Sequence, residues 1–169
     1  MSSTFLPSWR VVYTKPKHEK KVADQLLELN ICSYLPLVKV LRTWHDRRKL
    51  IDMPLFASYV FVYLQKDEDY FDSLTIEGLL YYVRTGKQIA TVNSSVIDNI
   101  RFTVENGKGI EVSTENLKPG KQLLIKAGAF TGRNCEVVEY GGRQKIVVRI
   151  ELLQRNILLN MPVEDLVTE

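Results

Sequence analysis

Hydrophobic and polar positions divide the first two thirds of the chain into two helical segments and four strands. Residues 16–30 and 94–105 carry apolar side chains at helical spacing. Pro16 suits the first position of the earlier helix, whereas Asn93 caps the later one and Gly107 ends it. The strands are rich in β-branched and aromatic residues and are predicted at 8–15, 31–40, 58–65 and 79–86.

The run "YVFVYL" at residues 59–64 lacks the apolar-polar alternation of a half-buried strand. Its side chains point alternately to two faces, and both faces are apolar: Tyr59, Phe61 and Tyr63 on one, Val60, Val62 and Leu64 on the other. Two short helices cover only part of a sheet, so an aromatic interaction patch is one hypothesis and a plain core is the alternative. The aromatic residues on predicted strands are Tyr13, Tyr59, Phe61, Tyr63, Tyr81 and Tyr82.

The pattern changes beyond the second helix. Residues 110–116, "IEVSTEN", are polar and lack a helical stripe, which indicates the tail of a linker. Short β-rich runs follow, and Gly141-Gly142 between two of them predicts a hairpin. Several short strands in so little chain favour a small barrel. The predicted fold class is α+β, with a sheet-and-helix domain at 8–106, a linker at 107–117 and an all-β domain at 118–169.

The composition is that of a globular protein, with 45% apolar and 25% charged residues in 169. No apolar run is long enough for a membrane helix, and the N-terminus lacks a secretory pattern, so we expect a cytoplasmic protein without a membrane partner. Cys32 and Cys135 lie far apart and are interpreted as packing thiols.

The sequence offers little for catalysis. Its two histidines, His18 and His45, have no metal-type spacing with each other or with a cysteine, and no nucleophile elbow, Walker loop or dinucleotide fingerprint is present. The acidic triplet at 67–69 is interpreted as a solvated loop or helix start rather than a cation site. We therefore expect no enzyme, no cofactor and no metal.

Two basic clusters stand out instead, and each is either a nucleic-acid surface or a solubilising face. The first cluster consists of Arg10, Lys15, Lys17, His18, Lys20 and Lys21. The second consists of Lys39, Arg42, His45, Arg47, Arg48 and Lys49. It lies in a segment that is a hairpin or loop, and Trp44 and Tyr34 are nearby in sequence. An aromatic among cations is suited to stack on an unpaired base.

Four segments of the chain carry a further signal: "WRVVYTKPKHEKKVADQL", "MPLFASYVFVYL", "LLYYVRTG" and "LIKAGAFTGRNCEVVEY". Together they resemble the NusG family over nearly the whole chain, from Trp9 to Val167. The resemblance implies an N-terminal NGN domain, an antiparallel sheet flanked by helices, followed by an SH3-like KOW barrel. The KOW motif falls on Gly128, Phe130, Gly132 and Val137.

Several positions depart from the housekeeping members of that family. Ala57-Ser58 stands where Pro-Gly is usual, Ala129 where proline is common, and Gln154 where glycine often precedes arginine. These departures are similar to those of specialised paralogues of the RfaH and UpxY kind, which act on particular operons such as surface polysaccharide clusters. The expected function is that of a non-enzymatic elongation or antitermination factor.

The resemblance also implies partners and their sites. The clamp helices of the RNA polymerase β′ subunit would bind an aromatic depression made by Tyr13, Phe56, Tyr59, Phe61 and Tyr82. The non-template DNA strand would be bound by Lys15, Lys17, His18, Lys21, Gln25 and Arg84. The segment 66–73 would touch the opposing β-subunit jaw, while Val60, Val62 and Leu64 would face the protein's own helices.

Other hypotheses remain open at this point. KOW modules also occur in ribosomal proteins, so a ribosome-associated or general RNA-binding protein is the alternative, with an enzyme of unrecognised site as a third. The KOW domain would recruit the ribosome or Rho, and we expect a monomer. Because residues 136–140 and 145–152 are rich in β-branched side chains, we expect strands rather than a helical hairpin in this domain. Masking of the polymerase site by the KOW domain is left open.

Overall fold

The computed structural model describes residues 5–126 and 128–160. The chain forms two compact units, residues 1–97 and 98–169, which are described in turn. The boundary falls inside the third helix. We number the strands and helices in chain order.

The N-terminal unit is built on a four-stranded antiparallel sheet with strand order β2-β5-β1-β6. Its strands are β1 (Ser8–Thr14), β2 (Cys32–Tyr34), β5 (Tyr59–Leu64) and β6 (Leu79–Tyr82). Two antiparallel ribbons of two strands each accompany it. They are β3 (Leu37–Trp44) with β4 (Arg47–Pro54), and β7 (Arg84–Thr85) with β8 (Gln88–Ile89). The basic segment that was predicted as a hairpin or loop is therefore a hairpin.

Three helices are present in the described residues: α1 (Glu19–Glu28), α2 (Asp67–Ser73) and α3 (Ser94–Asn106). The first begins three residues later than Pro16 suggested, because Lys17 adopts a left-handed φ of 64° and a turn precedes the helix. The predicted cap of α3 is confirmed, since the Asn93 side-chain oxygen accepts a hydrogen bond from the Ser95 backbone N–H at 3.1 Å.

The aliphatic face of β5 belongs to the core of this unit. Val60, Val62 and Leu64 are buried in one cluster with Val22 and Leu26 of α1. This confirms the prediction that these three side chains face the protein's own helices. The core thus lies between the sheet and α1, and the opposite face of β5 carries its aromatic residues.

A buried carboxylate joins α1 to the turn that leads into β5. Glu19 is 5% exposed, and its Oε1 accepts a 2.7 Å hydrogen bond from the Ser58 backbone N–H. Ser58 has a left-handed φ of 66°, a conformation that suits glycine. Glycine at this position would carry no side-chain penalty, so we expect serine here to cost stability.

We expect Ser58→Gly to stabilise the protein. Glycine removes the side-chain penalty of a left-handed residue, of about 1–2 kcal/mol, and its greater freedom in the unfolded chain offsets up to about 1 kcal/mol of that gain. The urea midpoint should therefore rise, with a net effect of up to about 1 kcal/mol. Ser58→Val is the matched control and should lower the midpoint, because a β-branched residue tolerates positive φ poorly. A fall in both variants would contradict this explanation.

The C-terminal unit contains a five-stranded antiparallel sheet with strand order β10-β11-β12-β13-β9. Its strands are β9 (Glu111–Ser113), β10 (Lys121–Leu124), β11 (Asn134–Tyr140), β12 (Arg143–Ile150) and β13 (Arg155–Asn160). A short 3-10 helix, Glu151–Leu153, connects the last two strands in sequence. The expected β form is confirmed for the part of this unit that the structure describes.

One expectation for this region was wrong. Residues 110–116 are not a plain linker tail, because β9 pairs with β13 and is an edge strand of the sheet. Lys145 of β12 also forms an ion pair with Glu111. The pairing partner is about 45 residues away in sequence, which is why local polarity misled the interpretation.

The hairpin predicted at Gly141-Gly142 is confirmed, and two further glycines of this unit also have a left-handed backbone. Gly141 and Gly142 both have positive φ, 58° and 72°, and form the tight turn between β11 and β12. Gly128 and Gly132 also have positive φ, in the turn between β10 and β11. There the Thr131 hydroxyl donates a 2.6 Å hydrogen bond to the Gly128 carbonyl oxygen.

The other two residues of the proposed motif are packing residues of the same unit. Val137 of β11 is buried, 6% exposed. Phe130 is half-buried, and its ring meets the Phe102 ring edge-on with centroids 5.1 Å apart. The Arg133 guanidinium lies over the Phe102 ring, 3.5 Å from its centroid. The motif therefore combines a glycine-dependent turn with aromatic packing.

An arginine–glutamate pair fixes the loop before β10. Arg149 donates to both carboxylate oxygens of Glu136, at 2.9 and 2.7 Å, and also to the carbonyl oxygens of Leu117 and Lys118. Glu136 additionally accepts from the Gly120 backbone N–H at 2.8 Å. The Arg149 hydrogen bonds hold the pKa of Glu136 below its ordinary range.

This pair predicts a specific loss of stability in acid. Because the pKa of Glu136 is lowered in the folded protein, its ionised carboxylate contributes fully to the free energy of unfolding at pH values above the ordinary carboxylate pKa. That contribution is lost as the pH falls through the folded-state pKa. Glu136→Gln should lower the thermal midpoint at neutral pH. As the pH falls, the midpoints of variant and wild type should converge. Midpoints that stay equally far apart from about pH 7 to about pH 3 would contradict this role.

Candidate functional site

The second face of the sheet in the N-terminal unit is aromatic. Pairing of β1 with β5 and β6 sets Tyr59, Tyr13 and Tyr81 side by side across three strands. The Tyr13 and Tyr81 rings are stacked with centroids 5.1 Å apart, and the Tyr13 and Tyr59 rings meet edge-on at 5.2 Å. We call Tyr59, Tyr13 and Tyr81 the tyrosine row.

The tyrosine row is accessible. Tyr81 is 53% exposed, while Tyr13 and Tyr59 are half-buried. Each ring offers apolar area, and each hydroxyl tolerates water when nothing covers it. The row is the part of the aromatic face with the chemistry of an interaction surface.

The neighbouring aromatic residues on this face are core residues instead. Phe61 has no accessible surface, and its ring lies 6.3 Å from those of Phe56 and Tyr34. Phe56 is 2% exposed. In this conformation neither phenylalanine offers surface to a partner, so neither contributes an accessible ring to the predicted depression.

Tyr82 lies on the wrong side for the predicted depression. It is paired with Val12 and belongs to the helix-side core, 3% exposed. Its hydroxyl lies 2.6 Å from the Ser73 hydroxyl, and burial raises the pKa of Tyr82 to about 12. Tyr81, one residue earlier, occupies the aromatic face. A shift of one position along a strand reverses the face, and the run "LLYY" gives no alternation to fix it.

The first basic cluster surrounds the turn before α1. Lys15 and Lys17 are exposed there, and His18 is half-buried as the residue before the helix. The His18 Nδ1 lies 3.1 Å from the Pro16 carbonyl oxygen. The imidazole packs on Gly78, where an added Cβ would come within 2.9 Å of the ring. Gly78 is thus required both for its φ of 97° and for this close approach.

Two predicted DNA-binding side chains have intramolecular partners. Lys21 forms a 2.7 Å ion pair with Glu77, and its hydrogen bond lowers the pKa of that carboxyl. The Gln25 amide donates to the Glu77 carbonyl oxygen at 3.0 Å and accepts from its backbone N–H at 3.3 Å. Both residues hold the segment between α2 and β6, whereas Lys15 and Lys17 are exposed and carry no such contact to Glu77.

The remaining predicted positions lie elsewhere in the unit. Arg84 is exposed on the β7–β8 ribbon and donates to the Lys87 carbonyl oxygen at 3.2 Å. The segment 66–73 forms α2, whose Phe71 is 65% exposed, and Leu74 beyond it is 46% exposed. These two apolar side chains, on and directly after a helix with an acidic first turn, were not singled out in the sequence, where helix or loop could not be decided.

Within 5–126 and 128–160, no group of three or more histidine, cysteine or acidic side chains is placed to hold a metal ion. None of the helices in the same ranges is long and apolar enough to cross a membrane.

Comparison with known proteins gives a family match over more than half of the chain. The model of the NusG family, described as "Transcription termination factor nusG", matches residues 7–101. The structure "Domain interaction in Thermotoga maritima NusG" is 22% identical, with a TM-score of 0.48 over 90% of this chain and 93% of that one. The "MjSpt4:Spt5 complex conformation B" is 18% identical, with a TM-score of 0.34 and 93% coverage of both chains. Such loose superpositions carry no functional argument, and the family match stands on the family model.

Proposed function

Because this chain belongs to the NusG family of transcription factors, we propose that it binds RNA polymerase through the tyrosine row and suppresses pausing and termination. The clamp helices of the β′ subunit are the proposed partner. A factor of this kind works by binding one polymerase conformation better than another, so it needs no catalytic group.

The observation that carries this proposal is the tyrosine row itself. Three tyrosines from three adjacent strands form one accessible strip, on the same face of β5 as the buried Phe61. Tyrosine is enriched at binding hot spots because a large rigid ring gains contact area while losing little conformational freedom. A strip of this kind suits a helix laid across the sheet, and α2 with exposed Phe71 would contact the opposing β-subunit jaw.

We further propose that the first basic cluster lies against the non-template DNA strand. Lys15 and Lys17 are exposed to contact phosphates, and His18 and Arg84 add polar groups that could meet base edges. Lys21 and Gln25 would act by holding the loop to which Gly78 belongs. Action on specific operons, as in the RfaH and UpxY kind of paralogue, remains a proposal resting on the departures at Ala57-Ser58, Ala129 and Gln154.

For the C-terminal unit we propose a KOW domain that recruits the ribosome or Rho. The glycine turn and β-strand form of this unit support the assignment. The alternative, a general RNA-binding protein, is disfavoured by charge. Residues 110–169 carry eight cationic and eight acidic side chains, whereas backbone binding to RNA needs an excess of cations.

A reconstitution experiment tests the proposal. Purified chain is added to core polymerase and to paused elongation complexes, and co-elution and pause lifetime are measured. The proposal expects a stable complex with polymerase and shorter pauses. Tight, salt-sensitive binding to structured RNA with no polymerase complex would favour the RNA-binding alternative and overturn the proposal.

A further inference from the structure

The β3–β4 ribbon is a charged and exposed projection that the proposed function does not use. Its two strands pair over eight residues each, from Leu37↔Pro54 to Trp44↔Arg47. Every residue from 41 to 50 is exposed. The ribbon therefore contributes little to the core, and its outer half needs another reason for its composition.

Positive charge is concentrated in this ribbon. Residues 37–54 carry five cationic and two acidic side chains, a net charge of +3, which equals the net charge of the whole chain. The rest of the protein is therefore neutral on balance. A local excess of this size is the electrostatic pattern of a phosphate-binding surface.

Strand register gathers the ribbon's charges around an aromatic ring. Arg42 lies opposite Lys49 and Trp44 lies opposite Arg47, and since alternate residues share a face, these four side chains lie on one face of the ribbon. Trp44 is 55% exposed. Nearer the base, the same face is occupied by the pair Val40 and Ile51.

The cations in the outer half of the ribbon have no charged partner among the described residues, although Arg42 donates a 3.5 Å hydrogen bond to the Met53 Sδ. Lys39 at the base is paired with Asp52 at 3.0 Å, but among the residues that the structure describes Arg47, Arg48 and Lys49 form no ion pair. Their charges are thus not used to stabilise the fold. The distal end of the ribbon is available to a ligand.

The ribbon's base is continuous with α1 and therefore with the first basic cluster. Lys20 of α1 donates a 2.9 Å hydrogen bond to the Asp52 carbonyl oxygen. From the Lys39–Asp52 pair at the base of the ribbon to Trp44, strand β3 extends for five residue steps, roughly 17 Å at the usual strand rise. A nucleic-acid strand following the turn before α1 could therefore continue along the ribbon.

We propose that the tip of the β3–β4 ribbon is a binding site for single-stranded nucleic acid. Trp44 stacks on an unpaired base, and Arg42, Arg47 and Lys49 neutralise adjacent phosphates. A single strand is favoured over a duplex because an exposed indole needs an open base face, which a stacked duplex does not offer. Binding at this site does not depend on the nucleotide sequence, because neither stacking nor phosphate contact reads base edges.

The test measures binding of a labelled oligothymidylate of roughly 16 nucleotides by fluorescence anisotropy, without polymerase, over a range of salt concentrations. Trp44→Ala should weaken binding roughly tenfold, whereas Trp44→Phe should retain most of it. Arg42→Gln/Arg47→Gln/Lys49→Gln should reduce the slope of log affinity against log salt by about 2, as expected for three lost phosphate contacts. The oligonucleotide should also quench tryptophan fluorescence in the wild type and much less in Trp44→Phe.

Controls separate this site from non-specific charge. Lys118→Gln/Lys121→Gln/Lys126→Gln removes the same charge from the C-terminal unit and should leave binding nearly unchanged. Equal losses of oligonucleotide affinity in the two triple variants would overturn the proposal. So would a duplex that binds as tightly as the single strand, together with a Trp44→Ala variant that binds like the wild type. Because the assay contains no polymerase, a negative result for the ribbon does not affect the proposed role of the tyrosine row. A negative result for polymerase binding likewise does not affect the proposal for the ribbon.

Discussion

Replacing Tyr13 and Tyr81 together by alanine is expected to abolish binding to core RNA polymerase while the protein stays folded. Tyr81 is 53% exposed and Tyr13 is half-buried, so the rings contribute more to a partner than to the core. Tyrosine hot spots each cost about 2 kcal/mol or more on truncation to alanine. The double variant should thus lose roughly a thousandfold in affinity, measured by co-elution or by interferometry with immobilised polymerase.

Two controls keep this result interpretable. Tyr81→Phe retains the stacked ring and should bind within a few-fold of wild type. Leu124→Ala removes an apolar side chain of similar exposure, 47%, from the C-terminal unit and should have no effect. Wild-type affinity of the folded Tyr13→Ala/Tyr81→Ala variant would remove the tyrosine row from the interface.

Phe61→Ala is expected to unfold the N-terminal unit rather than to act on binding alone. Its ring is fully buried between Phe56 and Tyr34, and deleting a buried aromatic side chain costs about 3–5 kcal/mol. That is a large part of the stability of a domain of this size. Circular dichroism and urea denaturation should show a strongly lowered midpoint or no folded baseline.

The matched comparison is Phe61→Leu, which keeps most of the buried volume and should lower the midpoint by far less. Any loss of polymerase binding in Phe61→Ala should follow its loss of structure. If Phe61→Ala kept the wild-type urea midpoint and yet failed to bind polymerase, Phe61 would be a contact residue. Our distinction between rings buried in the core and rings that contact polymerase would then be wrong.

The sequence was sufficient to predict helices α1 and α3, strands β1 and β5 with one face of β5, and the β11–β12 hairpin. Val60, Val62 and Leu64 alternate regularly, and they pack on α1 as expected. The choice between Tyr81 and Tyr82 failed because both neighbours are tyrosines in an apolar run, where no polar position marks the register. Only pairing with Val12 and Tyr13 decides which of the two faces the core.

Contacts distant in sequence account for the other differences. Strand β9 exists because β13 offers it a partner edge, and nothing in "IEVSTEN" encodes that edge. Lys21 and Gln25 looked like ligand-binding residues until Glu77, more than fifty positions later, was found to engage both. A basic helix face alone cannot distinguish free cations from paired ones.

Burial of Glu19 was equally hidden from sequence reasoning. Acidic residues at a helix start are common and usually solvated, so nothing marked this one as the acceptor for the Ser58 backbone N–H. The left-handed Ser58 was noted only as a departure from glycine, and the structure gives that departure a physical meaning.

The most direct test of the central claim is site-specific crosslinking from the tyrosine row. A photoreactive phenylalanine analogue replaces Tyr81, or Leu124 as control, and each protein is irradiated with core polymerase before the adducts are mapped by mass spectrometry. We expect position 81 to crosslink to the β′ clamp helices and position 124 to give no adduct there. Absence of a β′ adduct from position 81, in a protein that still co-elutes with polymerase, would show that the chain binds through another surface.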